Sequence, residues 1–128
     1  MSDPSLELQA TLVATIRPVT GGRVYDKAPA NAQYPYITLG EMQVLPDKAD
    51  CIDGVEIFPR IDIWSRGVGF PEVKQLTKAV MALLDDQTLT VAGFNVPVFE
   101  HESTQYLRDP DGLTLHAAIT FRGLIQPS

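Results

Sequence analysis

The sequence predicts an α+β fold, with a mostly antiparallel sheet of about four strands and two helices packed on one face of it. Three features predict this fold. Two segments repeat apolar residues at helical spacing, four segments alternate apolar and polar residues, and the alternating segments come in pairs joined by turns. The element order is therefore α-β-β-α-β-β. The 128 residues suffice for one domain and are too few for two, so we expect a single domain over residues 1–128.

The first helix is predicted close to the N-terminus. Asp3 can cap it, and Pro4 can take its first position, where a missing N–H costs nothing. Pro18 ends the helix, because proline cannot continue the hydrogen-bonding pattern. One apolar stripe recurs every four residues along it and consists of Leu8, Leu12 and Ile16.

The next segments are predicted strands. At most a short strand, at residues 23–26, lies within a long loop, and a longer strand covers about residues 36–45. In VEIFPRIDIWS, residues 55–65, apolar and polar residues alternate. Pro59 cannot donate a hydrogen bond to a neighbouring strand, which indicates either a bulge or an edge strand. One face carries Val55, Ile57, Ile61 and Ile63, and the other carries Glu56, Arg60 and Asp62.

The second helix begins near Pro71 and ends at Asp85 and Asp86. A strand follows at about residues 96–107, and the turn DPDG leads to a last strand at residues 113–122. The buried face of this helix is expected to carry Val73, Leu76, Val80, Leu83 and Leu84. The last strand is expected to bury Leu113, Leu115, Ala117, Ile119 and Phe121.

The composition excludes several classes of function. The formal net charge is −6, with ten basic residues among sixteen acidic ones. Tight binding to nucleic acid or to an anionic membrane is therefore not expected. Cys51 is the only cysteine, which excludes an internal disulfide and a cysteine-built metal site. No apolar run approaches the roughly 20 residues that span a bilayer, and the N-terminal residues lack a signal-peptide pattern.

Three segments match part of a known functional motif but lack residues that the motif requires. Gly67 and Gly69 have the spacing that opens a dinucleotide fingerprint, but Glu72 stands where the third small residue belongs and would repel a pyrophosphate. HESTQ begins like a zinc-protease helix at His101, but Gln105 replaces the second histidine. DPDG lacks the flanking ligands of a calcium loop. We assign no catalytic, cofactor-binding or metal-ligating residue, and we expect no cofactor.

One enzymatic alternative stays open. His101 and His116, the two histidines of the chain, lie on neighbouring predicted strands with Glu100 or Glu102 close by. Such a set can form an acid–base pair in a small α+β enzyme or ligand-binding domain. A pair of solvated or interface histidines is the simpler interpretation.

The polar strand faces and one loop are candidate interfaces. Trp64 alternates onto the polar face of its strand. A large aromatic side chain there indicates a local packing irregularity, a bulge at Pro59 that shifts the alternation, or a face covered by a second subunit. The acidic, turn-rich loop at residues 46–54 is a further candidate. The candidate interface residues are Arg60, Asp62, Trp64, His116, Arg122, Asp47, Asp50 and Asp53.

Four segments support a family resemblance. VYDKAP, PYITLG, IDIWSRGVGFPEVKQL and DPDGLTLHAAITFR occur in this order and span nearly the whole chain. Together they resemble the tail completion or tail terminator proteins of long-tailed bacteriophages, prophages and gene transfer agents. The most specific parts are Pro35-Tyr36, Trp64-Ser65 followed by Gly69, and Asp111-Gly112 followed by His116.

The resemblance implies an α+β structural protein of a virion or phage-like particle, not an enzyme. It implies a ring, usually of six copies, at the head-proximal end of the tail tube. The ring stops tube polymerisation and joins the tail to the head. The implied partners are further copies of the chain, the major tail tube protein and a head–tail connector or stopper protein.

DNA passes through such a ring without specific binding, and no membrane is involved. The implied location is the tail neck, after assembly in the host cytoplasm. Another neck or head-completion component of the same particle is the alternative.

Overall fold

The computed structural model describes residues 3–47 and 53–128, which form two helices and five strands. A short 3-10 helix, Arg17–Thr20, follows the first helix. The helices are α1 (Ser5–Ile16) and α2 (Pro71–Leu84), and the strands are β1 (Val24–Tyr25), β2 (Tyr36–Asp47), β3 (Gly54–Ser65), β4 (Phe94–Arg108) and β5 (Leu115–Pro127).

The five strands form one sheet in the order β1-β2-β3-β5-β4. Every pairing is antiparallel except that of β1 with β2. The predicted α+β class, the mostly antiparallel sheet and the element order are confirmed. The sheet has one strand more than the four expected, because the short predicted strand within the long loop pairs with β2.

Proline does not place β3 at an edge of the sheet, so that alternative is wrong. β3 pairs with β2 on one side and with β5 on the other. The irregularity lies in β2, where Leu39 pairs with Ile61 and Met42 pairs with Pro59. β2 therefore bulges opposite Pro59, which agrees with the predicted alternative of a bulge at this position.

Both helices pack on one face of the sheet, as predicted. At the start of α1, Asp3 Oδ1 accepts a hydrogen bond from the Ser5 amide at 2.8 Å, which satisfies one of the free N–H groups of the first turn. The core consists of buried aliphatic and aromatic side chains from both helices and from the covered sheet face. It includes Leu8, Leu12, Ile16, Val73, Val80, Leu84, Ile37, Ile57, Ile61, Ile63, Ala117, Ile119 and Phe121.

Leu83 does not belong to this core, so its prediction as a buried residue is wrong. Its side chain is 39% exposed. The buried stripe of α2 follows Val73, Thr77, Val80 and Leu84. Because each residue turns the helix by about 100°, Leu83 points away from the sheet and toward the outer side of α1. It lines a surface groove there.

The sheet has two distinct ends, which are named here. The hairpin end is where β2 and β5 finish and β3 and β4 begin, together with residues 85–93. The loop end is the opposite one and carries residues 26–35, 66–70 and 109–114 together with the elements that adjoin them there, namely the end of α1, the segment around β1, the first turn of α2 and the end of β4. The first half of α1 lies at the hairpin end, because Leu6 and Glu7 line one groove with residues 87–90 and Thr11 Oγ1 donates a hydrogen bond to the Thr90 carbonyl at 2.7 Å.

We predict that Ile119→Ala lowers the free energy of unfolding by about 2–5 kcal/mol, because it removes a fully buried branched side chain from the helix–sheet boundary. Leu83→Ala is the matched control, and we expect it to cost less than about 1.5 kcal/mol. Denaturant unfolding of both variants measures the difference. Equal losses would show that the core boundary is misplaced.

Candidate interaction surfaces

The five sequence-predicted interface residues on the strands lie together on the sheet face that the helices leave open. The register places Trp64 opposite His116, and Arg60 opposite Thr120. Arg122 follows on the same face of β5, two residues beyond Thr120. The sequence prediction that these polar positions share one face is therefore consistent with the geometry. Whether a second subunit covers this face stays a prediction.

Trp64 has a partner within its own subunit. Its ring stacks on the His116 ring with centroids 3.9 Å apart and an angle of 11°. The ring of Tyr36 follows on the other side at 6.4 Å, and the indole N–H donates to Thr38 Oγ1 at 3.0 Å. The bulge near Pro59 does not shift Trp64 to the other face. Stacking and one hydrogen bond explain why a large aromatic residue is stable among polar side chains.

A buried carboxylate lies at the centre of this face. Asp62 is only 2% exposed. Its Oδ1 accepts a hydrogen bond from His116 Nε2 at 2.7 Å, and its carboxylate pairs with Arg60 Nε at 3.2 Å. A buried charge is stable only when it is paired and hydrogen-bonded, so these two contacts are required by the fold.

A glycine in the bulge of β2 makes room for that pair. A Cβ atom at Gly40 would lie 2.5 Å from Asp62 Oδ2 and 2.8 Å from Arg60 Nε. Real Cβ atoms do not approach other atoms so closely, so any other residue would displace the carboxylate or the guanidinium. Gly40 was not singled out by the sequence analysis, and the residue pattern gives no signal for it.

Arg122 joins three strands. It donates to Glu56 on β3 at 2.6 Å and to Glu100 on β4 at 2.9 Å. These hydrogen bonds raise the pKa of the arginine. Because Arg122 is already hydrogen-bonded to both carboxylates, a partner that binds this face would contact the whole Glu56–Arg122–Glu100 cluster and not an unpaired arginine.

The loop end is ordered by its own polar contacts. Asp111 accepts hydrogen bonds from the Leu113 amide at 2.8 Å and from Thr114 Oγ1 at 2.7 Å. The Thr114 hydroxyl, followed by backbone amides, lowers the pKa of the Asp111 carboxyl. Leu113 is held in this turn and is 66% exposed, so its prediction as a buried strand residue is wrong.

Arg66 and the tyrosines complete the loop end. The Arg66 guanidinium lies over the Tyr34 ring at 4.4 Å, and its Nε donates to Thr114 Oγ1 at 3.1 Å. Tyr34 in turn contacts Tyr36 at 5.0 Å. Burial, followed by the hydrogen bond with Tyr34, raises the pKa of Tyr36 to about 12.

The glycine turn after β3 is closed by a carboxylate and not by a phosphate. Ser65 Oγ donates to Glu72 Oε1 at 2.6 Å and accepts from the Gly67 amide at 3.1 Å. Gly69 takes a left-handed conformation with φ +71°, which glycine adopts without strain. The Glu72 side chain thus occupies the position that a bound pyrophosphate would need. Val68 at the tip of this turn is fully exposed.

The two histidines lie on opposite faces of the sheet. His101 contacts the core residue Phe121, with ring centroids 6.1 Å apart, on the helix-covered face. His116 stacks on Trp64 on the open face. The sheet therefore separates them, and an acid–base pair built from both is excluded.

Charge divides unevenly between the two ends of the subunit. The described part of the hairpin end contains acidic residues and no lysine or arginine, and the loop end carries more basic than acidic residues. The acidic residues at the hairpin end are Asp3, Glu7, Asp47, Asp53, Asp85 and Asp86. The loop end carries Arg17, Arg23, Lys27, Arg66, Lys74 and Arg108 with Asp26, Glu72, Asp109 and Asp111.

The predicted acidic loop is described at its two flanks. Asp47 ends β2, and Asp53 directly precedes β3. Asp50, the third candidate, lies outside the described residues. Both described flanks lie at the hairpin end, and the part of the loop in an interface stays a prediction.

Two properties of the described residues bear on classes of site. No group of three or more His, Cys, Asp or Glu side chains within residues 3–47 and 53–128 is arranged to hold a metal ion. Neither helix in this part of the chain is long and apolar enough to cross a membrane.

The chain is similar to a known protein family and to a solved structure. The model of the family described as "Tail completion protein gp17" matches residues 7–126. The fold is similar to a chain in the solved structure "Virion of native gene transfer agent (GTA) particle". The two chains are 19% identical with a TM-score of 0.77, and the match covers 96% of this chain and 91% of that one. No curated protein sequence matches the chain.

We predict that Asp62→Ala lowers the free energy of unfolding by about 1–3 kcal/mol, because it leaves His116 and Arg60 without their common acceptor. Glu102→Ala, at an exposed position of β4, is the control and should change stability by less than about 0.5 kcal/mol. Gly40→Ala should destabilise the wild type more than it destabilises Asp62→Ala, because its Cβ atom would clash with the Asp62 carboxylate. Additive effects in this double-mutant cycle would contradict the role given to Gly40.

We predict that Asp111→Asn destabilises the protein at pH 7 and that the difference from wild type shrinks in acid. The pKa of Asp111 is lower in the folded protein than its ordinary value, so its ionised form stabilises the fold above an unfolded pKa of about 4. That contribution is lost as the pH falls through the lower, folded pKa. Urea unfolding at several pH values, with Glu102→Gln as control, measures it. A difference that does not change with pH would contradict the prediction.

Proposed function

Because the chain belongs to the tail completion protein gp17 family, we propose that it forms a ring, of six copies, at the head-proximal end of a tail tube. The family assignment itself makes the chain a structural tail-completion protein of a phage-like particle and not an enzyme. In the proposed ring, the chain stops tube polymerisation and joins the tail to a head–tail connector or stopper protein. The match of the family model over residues 7–126 carries this proposal.

The shape of the subunit is suited to ring formation. A closed ring needs two different surfaces on each copy, because its contacts are head-to-tail. The two ends of the sheet differ in charge and in exposed apolar residues, and the open face offers both charge signs at Glu56 and Arg122. A subunit with such unlike surfaces favours a heterologous assembly over a symmetric dimer.

The charge of the chain is suited to a DNA conduit. Six copies at −6 each would give a ring a formal charge of about −36, which repels phosphate within a Debye length of roughly 8 Å at physiological salt. DNA would then pass through without being held. The ring would gain its affinity from contacts with the tube protein and the connector instead.

The experiment that tests this proposal is electron microscopy of particles assembled with and without the protein. We expect tails of uncontrolled length, detached from heads, in its absence, because nothing would stop the tube or present a surface to the connector. Adding back the wild-type protein should restore uniform tails that are joined to heads.

The microscopy also separates the proposal from its nearest alternative. Tails of uniform length that merely fail to join heads would instead assign the chain to another neck or head-completion position. Uniform, joined tails without the protein would overturn the proposed function.

A further inference from the structure

We propose that neighbouring copies contact each other through two surfaces at opposite ends of the subunit. The first is the loop-tip knob, Val68 and Leu113. The second is the α1 groove, formed by Leu6, Ala10, Ala14 and Leu83 together with Glu7. This inference rests on the proposed ring and names its self-contact.

The knob is apolar, exposed and rigid. Val68 is fully exposed and Leu113 is 66% exposed, and both line one small cavity at the loop end. The turn that carries Val68 is held by the Ser65–Glu72 hydrogen bond, and the turn that carries Leu113 is held by Asp111. Because these turns are already ordered, docking the two side chains loses little conformational entropy.

The α1 groove is the apolar surface that would receive the loop-tip knob of a neighbouring copy. It is a cavity of about 750 Å³ between α1 and residues 83–92. Leu6 is 74% exposed at its rim, and Ala10 and Ala14 keep the floor low enough to admit a side chain. Leu83, which the core does not use, forms the other wall.

A carboxylate in the groove lacks a partner. The Oε2 atom of Glu7 is buried and has no hydrogen-bond partner within the described residues. A buried acceptor left unsatisfied is costly, so the site favours an incoming N–H group. Aliphatic side chains line the groove beside this anion, with threonines and Gln87 between them, and such a lining favours an aliphatic side chain with a cation beside it.

The knob brings such a cation. Arg108 lines the same cavity as Val68 and Leu113, and it contacts the face of Phe70 at 4.8 Å. Among the residues that the structure describes, it has no carboxylate partner. The charge division adds long-range attraction, because the basic loop end of one copy would approach the acidic hairpin end of the next.

Knob and groove occur once on each copy and at opposite ends. Each copy can therefore donate its knob to one neighbour and accept the knob of another. This is the heterologous arrangement that closes into a ring when the rotation between copies permits. A second copy of this chain is accordingly the occupant that the apolar and charged residues of the groove fit.

The test mixes two complementary variants, and both keep the net charge of −6. The knob variant is Val68→Asn with Leu113→Asn, and the groove variant is Leu6→Gln with Ala10→Gln. All four positions are exposed, so folding should be kept, which amide NMR spectra of each variant verify. Leu45→Gln, an exposed leucine outside both surfaces, is the control.

We expect the mixture of the two variants to associate and each variant alone to stay monomeric. In a sample of ¹⁵N-labelled knob variant at several hundred micromolar, unlabelled groove variant should shift the amide signals of residues 6–14 and 83–92. Unlabelled knob variant should not shift them. In the reverse labelling, the shifts should appear at residues 66–70 and 109–114. Glu7→Gln in the labelled knob variant should weaken this association about tenfold or more.

No shifts in the mixture, or shifts confined to other surfaces such as the open sheet face, would overturn the proposed contact. The ring function is tested separately in particles. If both variants restore uniform, head-joined tails as well as wild type does, the contact is wrong and the ring proposal stands. If particles that lack the protein already have uniform, joined tails, the ring proposal fails whatever the NMR result.

Discussion

The buried carboxylate of Asp62 is the constraint on which the open face of the sheet depends. It lies on the central strand β3, where β2 and β5 enclose it and solvent hardly reaches it. Its charge is stable only because His116 donates to it from β5 and Arg60 reaches it along β3. The same His116 ring also stacks on Trp64, so the aromatic stack and the ion pair stabilise each other. The bulge and Gly40 on β2 leave the space that this arrangement needs.

The sequence predicts the fold well because the fold depends on periodicity. The alternation in β3 and β5 and the helical stripes of α1 and α2 each identify one buried face, and only one layered arrangement covers all of them. The element bounds accordingly agree within about two residues, except that β5 continues five residues beyond its predicted end, to Pro127. The polar residues Arg60, Asp62 and Trp64 share the face that was expected. Leu83 and Leu113 were predicted to be buried, but both are exposed. Hydrophobicity alone does not distinguish a core leucine from one at a groove or a turn.

The surfaces are harder to predict, because they depend on contacts between residues distant in sequence. Nothing near Gly40 indicates that Asp62 and Arg60 occupy the space above it. Nothing near Glu7 indicates that one of its oxygens is buried or that residues 87–90 line the same groove. The sequence does contain one signal for an exposed apolar residue. In RGVG, residues 66–69, the two glycines favour a turn, and turns lie at the surface, so the valine between them is expected to be exposed. Exposed aliphatic side chains that cluster, as Val68 does with Leu113, are typical of a contact surface, whereas a single one is not.

The division of charge is compatible with the proposed ring, whose subunits would have to repel DNA and still assemble. The described part of the hairpin end carries acidic residues and no lysine or arginine, whereas the loop end is more basic than acidic. Copies that approach with like ends repel each other, and copies that approach with unlike ends attract each other. The net charge therefore disfavours random aggregation without disfavouring the ordered head-to-tail contact. Raising the salt concentration screens both effects, so assembly that depends on orientation should weaken in salt even though the subunits are all acidic.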